Sequence, residues 1–595
     1  MRRFYGWFGI AALALLVRAL FLAEFAETVA FRSPVVDAYT YDQQARSVAA
    51  GGPGALELPY YQPPLYSLVL GGIYAVAPGP WGPRLVQAGL GVLTSVLVGL
   101  VAARVGGRRA GYVGGGLFAL YGPALWMEGE LLPPTLVLTT TTAAIWLLDR
   151  ADRAERPLRA LLGAGVLLGV ASAARPTSIL FGALAGLWWA LGGSRSTGGG
   201  AGRPSPLASA IAFGLAIALP ILPFTIANRV GGGENVVVSY NGGINFYLGN
   251  GANSDSLTAI QPGHHWDKLQ IAPWAAGVRS RVGESNYWFE RGLREAAADP
   301  AAWVRALGRK IVRLLDARET PRNTDFEVAR RESRVLSAPL PGFALVAPLA
   351  LLGLWLGFAN PSSRRLRSLL ILLLIAVAIE NLAFFVAARY RLEATPALCV
   401  LAGLGVDAAI RSRGRPVLAL VAAAGLAGFV LVDWLGERPI DEARAAINRS
   451  VALQRAGFEA SAARALEDAL RADPRDVDAH RLLAESLVRD HQPEAALREL
   501  DAALALAPDY VQVLLVKGRL LEQIGRADEA GEPYRRAVQA DPFEKQARSA
   551  YGVWLAIRHR YEEARVQFEA GLAIDPTDSD LRHNLGNLER VQRGS

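Results

Sequence analysis

The 595-residue chain has one cysteine, Cys399. No disulfide and no cysteine-based metal site can therefore form within it. Charge is also sparse: Asp, Glu, Lys and Arg make up 19% of the residues, against 52% hydrophobic. There is no Walker A loop, no Gly-x-Ser-x-Gly elbow, no His-Glu-x-x-His and no Rossmann fingerprint. A soluble nucleotide-sugar enzyme of Rossmann type and an ATP-driven pump are both disfavoured by those absences. The net charge of +8 does not indicate nucleic acid, because the arginines gather in short loops between apolar runs, where membrane topology explains them.

What the chain has in quantity is apolar blocks long enough to cross a bilayer, which needs about 20 residues each. The expected spans are 5–23, 85–103, 111–127, 134–148, 159–174, 177–191, 207–228, 337–358, 368–388, 394–410 and 416–434. The stretch 65–79 is apolar too, but it is short and contains Gly71 and Gly72. If it stays on the outer surface, Arg104, Arg108, Arg109, Arg150, Arg153, Arg364, Arg365, Arg411 and Arg413 all fall on one side with Arg2 and Arg3, as the positive-inside rule asks. The expectation is eleven spans, with the first one uncleaved, in the inner membrane of a cell. Asp37, Glu130, Arg175, Arg389, Arg391 and the external loops 24–84 and 229–336 then share the outer side. The second of these loops is long enough to be structured in its own right.

After residue 440 the composition turns to Ala, Leu, Arg, Glu and Asp, and a period appears. Pro474, Pro508, Pro542 and Pro576 are 34 residues apart, as are Ala462, Ala496, Ala530 and Ala564. A helix-turn-helix unit of about 34 residues is the tetratricopeptide signature. The predicted domains are a membrane unit over 1–435 and an α-solenoid over 441–595, in an all-α chain. Since eleven spans that start inside end outside, the solenoid is expected on the external, periplasmic side.

The candidate site residues are weighed against bland alternatives. Asp37, in Phe31-Arg32-Ser33-Pro34-Val35-Val36-Asp37-Ala38-Tyr39-Thr40-Tyr41-Asp42, is a carboxylate just outside the first span, where charge near lipid is expensive and so suggests function. Its bland reading is a solvated loop carboxylate or helix cap; Asp42 ranks below it. Glu130, close to Glu128, reads blandly as an interfacial anchor. Arg389 and Arg391, in Phe384-Phe385-Val386-Ala387-Ala388-Arg389-Tyr390-Arg391-Leu392, read blandly as snorkelling cations at a helix end, yet two arginines on the outer side run against the positive-inside bias and need a reason. Arg175 reads as an anchor or a cavity residue. Asn241 and Asn245 belong to a Gly-rich turn or line a substrate path. His264 and His265 are ordinary loop histidines, because no third ligand is placed by spacing.

Asp37-x-x-x-Tyr41, the aromatic-proline stretch Tyr60-Tyr61-Gln62-Pro63-Pro64-Leu65-Tyr66 and the run Arg389-Tyr390-Arg391-Leu392 together resemble the GT-C membrane glycosyltransferases of the protein O-mannosyltransferase and aminoarabinose-transferase type. The resemblance covers roughly residues 1–435. It implies a helical membrane core with an external cavity, and sugar transfer from a polyprenyl-phosphate donor with inversion. By the same resemblance Asp37 is the base, Arg389 and Arg391 clamp the donor phosphate, and Glu130, Tyr41, Tyr61, Arg175, Asn241 and Asn245 line the cavity. A divalent cation held by Asp37 and Glu130 is compatible with it, since such ions take carboxylate oxygens. This chain departs from the pattern at Gln62, which is neutral where some relatives carry Glu or Lys, and at Glu393, where a proline is usual.

The expected partners are the lipid-linked donor, membrane lipid and a polypeptide, or the acceptor itself, at the solenoid; no nucleic acid is expected. Three rival readings remain. One is a glycan ligase using a lipid-diphosphate donor without metal. Another is a non-catalytic membrane anchor for the solenoid. The third is a polytopic transporter, which should carry more charge at mid-span.

Overall fold

The computed structural model describes residues 5–154, 156–192, 205–254, 260–356, 364–411, 416–436 and 441–594. Among them every regular element is a helix. The chain falls into two units, one of residues 1–260 and 280–440, the other of 261–279 and 441–595.

In the first unit, five helices among the described residues are long and apolar enough to cross a membrane: Gly6–Phe25, Trp81–Gly106, Pro206–Val230, Arg364–Ala383 and Ala388–Arg411. Shorter apolar helices run over Leu65–Val76, Leu158–Ala174, Pro176–Leu191 and Phe343–Trp355. The Leu65–Val76 helix has 12 residues. At about 1.5 Å per residue it rises about 18 Å, short of a hydrocarbon core of about 30 Å. The run 111–127, expected as one span, is instead two helices, Arg108–Ala119 and Gly122–Gly129. Pro123 lies in the first turn of the second, where its missing N–H is harmless, and it cannot continue the first.

Small residues let the helix backbones meet, the usual basis of packing where lipid removes the hydrophobic drive. A Cβ at Gly353 would fall against the carbonyl of Leu401, and one at Gly405 against that of Leu349. Gly111 and Gly115 press in the same way on Gly99 and Ser95 of the Trp81–Gly106 helix.

In the second unit, helix pairs Glu442–Arg455 with Glu459–Ala472, Val477–Arg489 with Pro493–Leu506, Val511–Gln523 with Gly531–Ala540, and Lys545–Ile557 with Tyr561–Ile574 stack in sequence, closed by Ser579–Gly594. The second helix of each pair stops two residues short of its repeat proline, in keeping with the bar on α geometry just before proline. Ala462, Ala496, Ala530 and Ala564 are wholly buried, and larger side chains there would force each pair apart. The segment 261–279, read from the sequence as part of one external loop, instead packs as part of this unit.

Candidate active site

Asp37 lies in the first turn of the Val36–Gly51 helix. Val36 before it holds φ at +52°, a region that β-branched side chains avoid because Cβ crowds the adjoining carbonyl. Such conformations cost about 1–3 kcal/mol and persist where their surroundings over-determine them. The result is a carboxylate in a first helical turn, where unpaired backbone N–H groups favour negative charge.

Nη1 of Arg389 donates to Asp37 Oδ2 at 2.6 Å, joining residues 352 positions apart. The Asp37 side chain keeps 29% of its surface accessible, yet burial is the largest influence on its carboxyl. The carboxylate is therefore surrounded by protein while part of it stays accessible. Burial by itself would raise the carboxyl. The charge and hydrogen bond of Arg389, a hydrogen bond from Asn323 and the charge of Arg322 outweigh that and hold it below the ordinary value. Asp37 is therefore ionised at neutral pH.

Arg389 is carried by the short Ala388–Arg391 helix, which is tied to the preceding loop by Ala388 N–H donating to Thr320 O at 2.8 Å. Its Nη2 donates to the Tyr390 hydroxyl at 3.0 Å. Its buried Nε has no hydrogen-bond partner among the described residues. The Tyr390 ring has the Arg389 guanidinium 4.9 Å from its centre and that of Arg175 4.1 Å away. Arg175 is held by two carboxylates: Glu393 at 2.6 Å, and Glu380. The Glu393 that stands in the place of a proline is thus half of the support that fixes Arg175 under Tyr390. Arg322 donates to Ile260 O at 2.7 Å and lies 5.2 Å from the Phe385 ring. Its charge reaches both Asp37 and Arg389.

Arg391 is elsewhere. Its side chain is 4% exposed and pairs with Glu319, itself 6% exposed, at 2.9 Å. It also donates to the carbonyls of Asp316 and Arg318. The expectation of a two-arginine phosphate clamp therefore needs correcting. Adjacent positions but one on a helix diverge by about 200°, so Arg389 meets Asp37 while Arg391 staples the 313–319 segment.

Glu130 follows the Gly122–Gly129 helix, and Thr324 Oγ1 donates to it at 3.5 Å. Burial raises its carboxyl, opposed by Arg84 and by Thr324. Since Asn323 reaches Asp37 and Thr324 reaches Glu130, adjacent residues touch the two carboxylates. Glu128 instead forms a buried pair with Arg18 at 2.7 Å. Asp42 accepts from Tyr74 at 2.5 Å and from Arg46 at 2.8 Å, so it is a structural anchor.

Tyr41 is buried one turn beyond Asp37; its phenol is pushed up by burial and then by the Asp37 charge. Tyr61 packs on Tyr240 at 5.2 Å between ring centres. Asn228 stitches the two loops together: its Oδ1 accepts from Tyr60 N–H at 2.9 Å, and its Nδ2 donates to the carbonyls of Val236 and Val238 at 3.1 and 3.2 Å. Asn241 accepts from Ser239 at 3.2 Å and caps the Gly242–Asn250 helix, on which Asn245 follows a turn later. Among the described residues no hydrogen bond or ion pair joins either asparagine to Asp37.

Asp37, one of the two carboxylates considered for a divalent cation, is engaged by Arg389, and Glu130 lies in the field of Arg84. Among the described residues no three His, Cys, Asp or Glu side chains converge. Sequence reasoning carried Tyr390 only within the arginine run and Glu393 only as a departure from the pattern, gave Arg322 and Asn323 little weight, and passed over Glu380. Only the outward position of Arg322-Asn323 before a span offered a hint.

Residues 61–224 match the family described as dolichyl-phosphate-mannose-protein mannosyltransferase, and residues 447–490 and 483–545 match the tetratricopeptide repeat. The chain is similar to human (Homo sapiens) "Protein O-mannosyl-transferase TMTC1", 31% identical over 121 residues, which is 20% of this chain and 14% of that one. It is also similar to "Uncharacterized protein y4yS" of Sinorhizobium fredii (strain NBRC 101917 / NGR234), 35% identical over 109 residues, 18% of this chain and 60% of that one. The chain thus spans about a seventh of the mannosyl-transferase relative and three fifths of the other. Among solved structures, "YrrB: a TPR protein with an unusual peptide-binding site" is 23% identical, over 28% of this chain and 81% of that one, with a TM-score of 0.22. MamA from Desulfovibrio magneticus RS-1 is 21% identical, over 26% of this chain and 87% of that one, with a TM-score of 0.24.

Proposed function

We propose that the protein is a membrane glycosyltransferase that moves a sugar, with inversion, from a polyprenyl-phosphate donor to an acceptor on the external side of the membrane. The observation that carries this reading is the part-buried Asp37–Arg389 pair, with an unspent donor on Arg389. An inverting transfer needs a base on the acceptor side and a cation on the leaving phosphate, whose charge grows as the glycosidic bond breaks. Asp37 takes the acceptor's proton. Arg389, helped by the field of Arg322, receives the phosphate. Tyr390, fixed by Arg175, keeps the guanidinium in place. Glu130 and Tyr61 face the sugar or acceptor.

The family match over 61–224 supports a mannosyltransferase-type chemistry and a lipid-phosphate donor. The same pair also sets a sequence of events. The donor phosphate competes with Asp37 for Arg389, so the base is released as the donor is seated. The test is transfer of radiolabelled mannose from a polyprenyl-phosphate carrier in membranes that contain the protein, comparing wild type with Asp37→Asn. Equal transfer by both would remove Asp37 from the chemistry; no transfer by wild type across lipid, glycan and polypeptide acceptors would favour the scaffold reading.

A further inference from the structure

The long loop between the Pro206–Val230 and Phe343–Leu356 helices does not stay with the first unit throughout. Its residues 261–279 pack within the solenoid unit. Gly263 has φ +145°, and a Cβ there would lie 2.2 Å from an Asp478 oxygen. Only glycine accepts both that backbone and that approach. The His264 N–H donates to Asp478 at 3.3 Å, and its ring meets Tyr510 at 4.6 Å between centres. Lys268 pairs with Asp509 at 2.9 Å. Trp274 packs on Phe543 at 6.3 Å, and the Arg279 guanidinium lies 5.1 Å from the same ring. Asp478 opens the Val477–Arg489 helix, whereas Asp509 with Tyr510 and Phe543 stand in the next two connections between repeats. The segment thus meets three successive repeats: a backbone N–H on Asp478, a lysine on Asp509, and aromatic or cationic side chains on the Tyr510 and Phe543 rings.

We propose that residues 261–279 are a resident ligand of the solenoid, a clasp that occupies the surface formed by Asp478, Asp509, Tyr510 and Phe543.

The test uses the full chain in native membranes. Lys268→Cys with Asp509→Cys should cross-link through a short bis-maleimide, and each single variant should label with a membrane-impermeant maleimide from the same side. Cys399, wholly buried, stays silent. Gly263→Ala should reduce the cross-link at least fivefold. A second pair, Trp274→Cys with Arg548→Cys, both lining one cavity of about 500 Å³, guards against a poorly folded first pair. Absence of both cross-links while every single cysteine labels would overturn the clasp, as would labelling of positions 268 and 509 from opposite sides. Neither readout depends on sugar transfer.

Discussion

Replacing Asp37 with asparagine keeps the shape of the side chain and removes its charge. Loss of a general base lowers turnover by about 100- to 10,000-fold, so kcat should fall by that range. The stability effect should be smaller than the about 3–5 kcal/mol of breaking a fully buried pair, because Asp37 and Arg389 keep 29% and 15% of their side-chain surface open. About 1–2 kcal/mol is expected. A pH profile separates the base from a mere partner of Arg389. In the free protein, Arg389 holds the Asp37 carboxyl below its usual value, so the acid limb of kcat/KM lies below about pH 3.9. When a donor phosphate draws Arg389 away, the burial that raises the carboxyl is left unopposed by its strongest counterweight. The acid limb of kcat should therefore sit at higher pH than that of kcat/KM, since the first reports the donor complex and the second the free enzyme. The assay is single- and multiple-turnover transfer from polyprenyl-phosphate mannose across pH 3–8, in proteoliposomes. Wild-type turnover in Asp37→Asn, or acid limbs that coincide, would refute the reasoning.

Arg391→Met should lower thermal stability by about 3–5 kcal/mol through the stranded Glu319, with donor KM little changed in whatever protein remains folded. Arg389→Ala should do the reverse, and a donor KM that rises equally in both variants would restore a two-arginine clamp. Val36→Gly should melt within about 1 kcal/mol of wild type, because relief of the positive φ offsets lost packing and added chain entropy; a large drop would mean that Val36 is not strained. In the solenoid unit Asp267 is raised to about 6 by burial first, then by Asp478, with Glu544 and Asp541 adding to it and Arg481 opposing. A carboxyl with a raised folded-state value binds its proton more tightly when folded, so stability falls as pH rises from about 4 to about 6. Asp267→Asn should remove that slope and raise the pH 7 melting point by the equivalent of about 1 kcal/mol after solvent screening, read by calorimetry at pH 4.5 and 7; an unchanged slope would place the titration elsewhere.

The parts of this molecule that repeat were legible in its sequence, and the parts that depend on a helix's facing were not. The solenoid announced itself because a buried alanine and a helix-ending proline recur at one period, and each is a local steric demand that any copy must meet. Asp37 was reachable through its place beside the first span and through resemblance. Its partner was not, because sequence distance carries no information about a pair 352 residues apart. The Arg389-Tyr390-Arg391 run showed that cations were needed on that side without saying which one served the cavity. A one-residue rotation of that short helix would have sent Tyr390, not Arg389, toward Asp37. What fixes its rotation lies outside the run: Glu319 holding Arg391 from one side, and Glu380 with Glu393, through Arg175, wedging Tyr390 from the other. Glu319 and Glu380 looked unremarkable one by one, and Glu393 stood out only as a departure from the pattern, since a buried carboxylate declares itself only by the arginine it neutralises. The clasp was hidden for the same reason. Lys268, Trp274 and Arg279 are ordinary loop residues until the turns at Asp509 and Phe543, more than 200 positions away, give each a partner. The residues that govern the candidate site therefore carry their meaning in pairs, and a single sequence lists only the members.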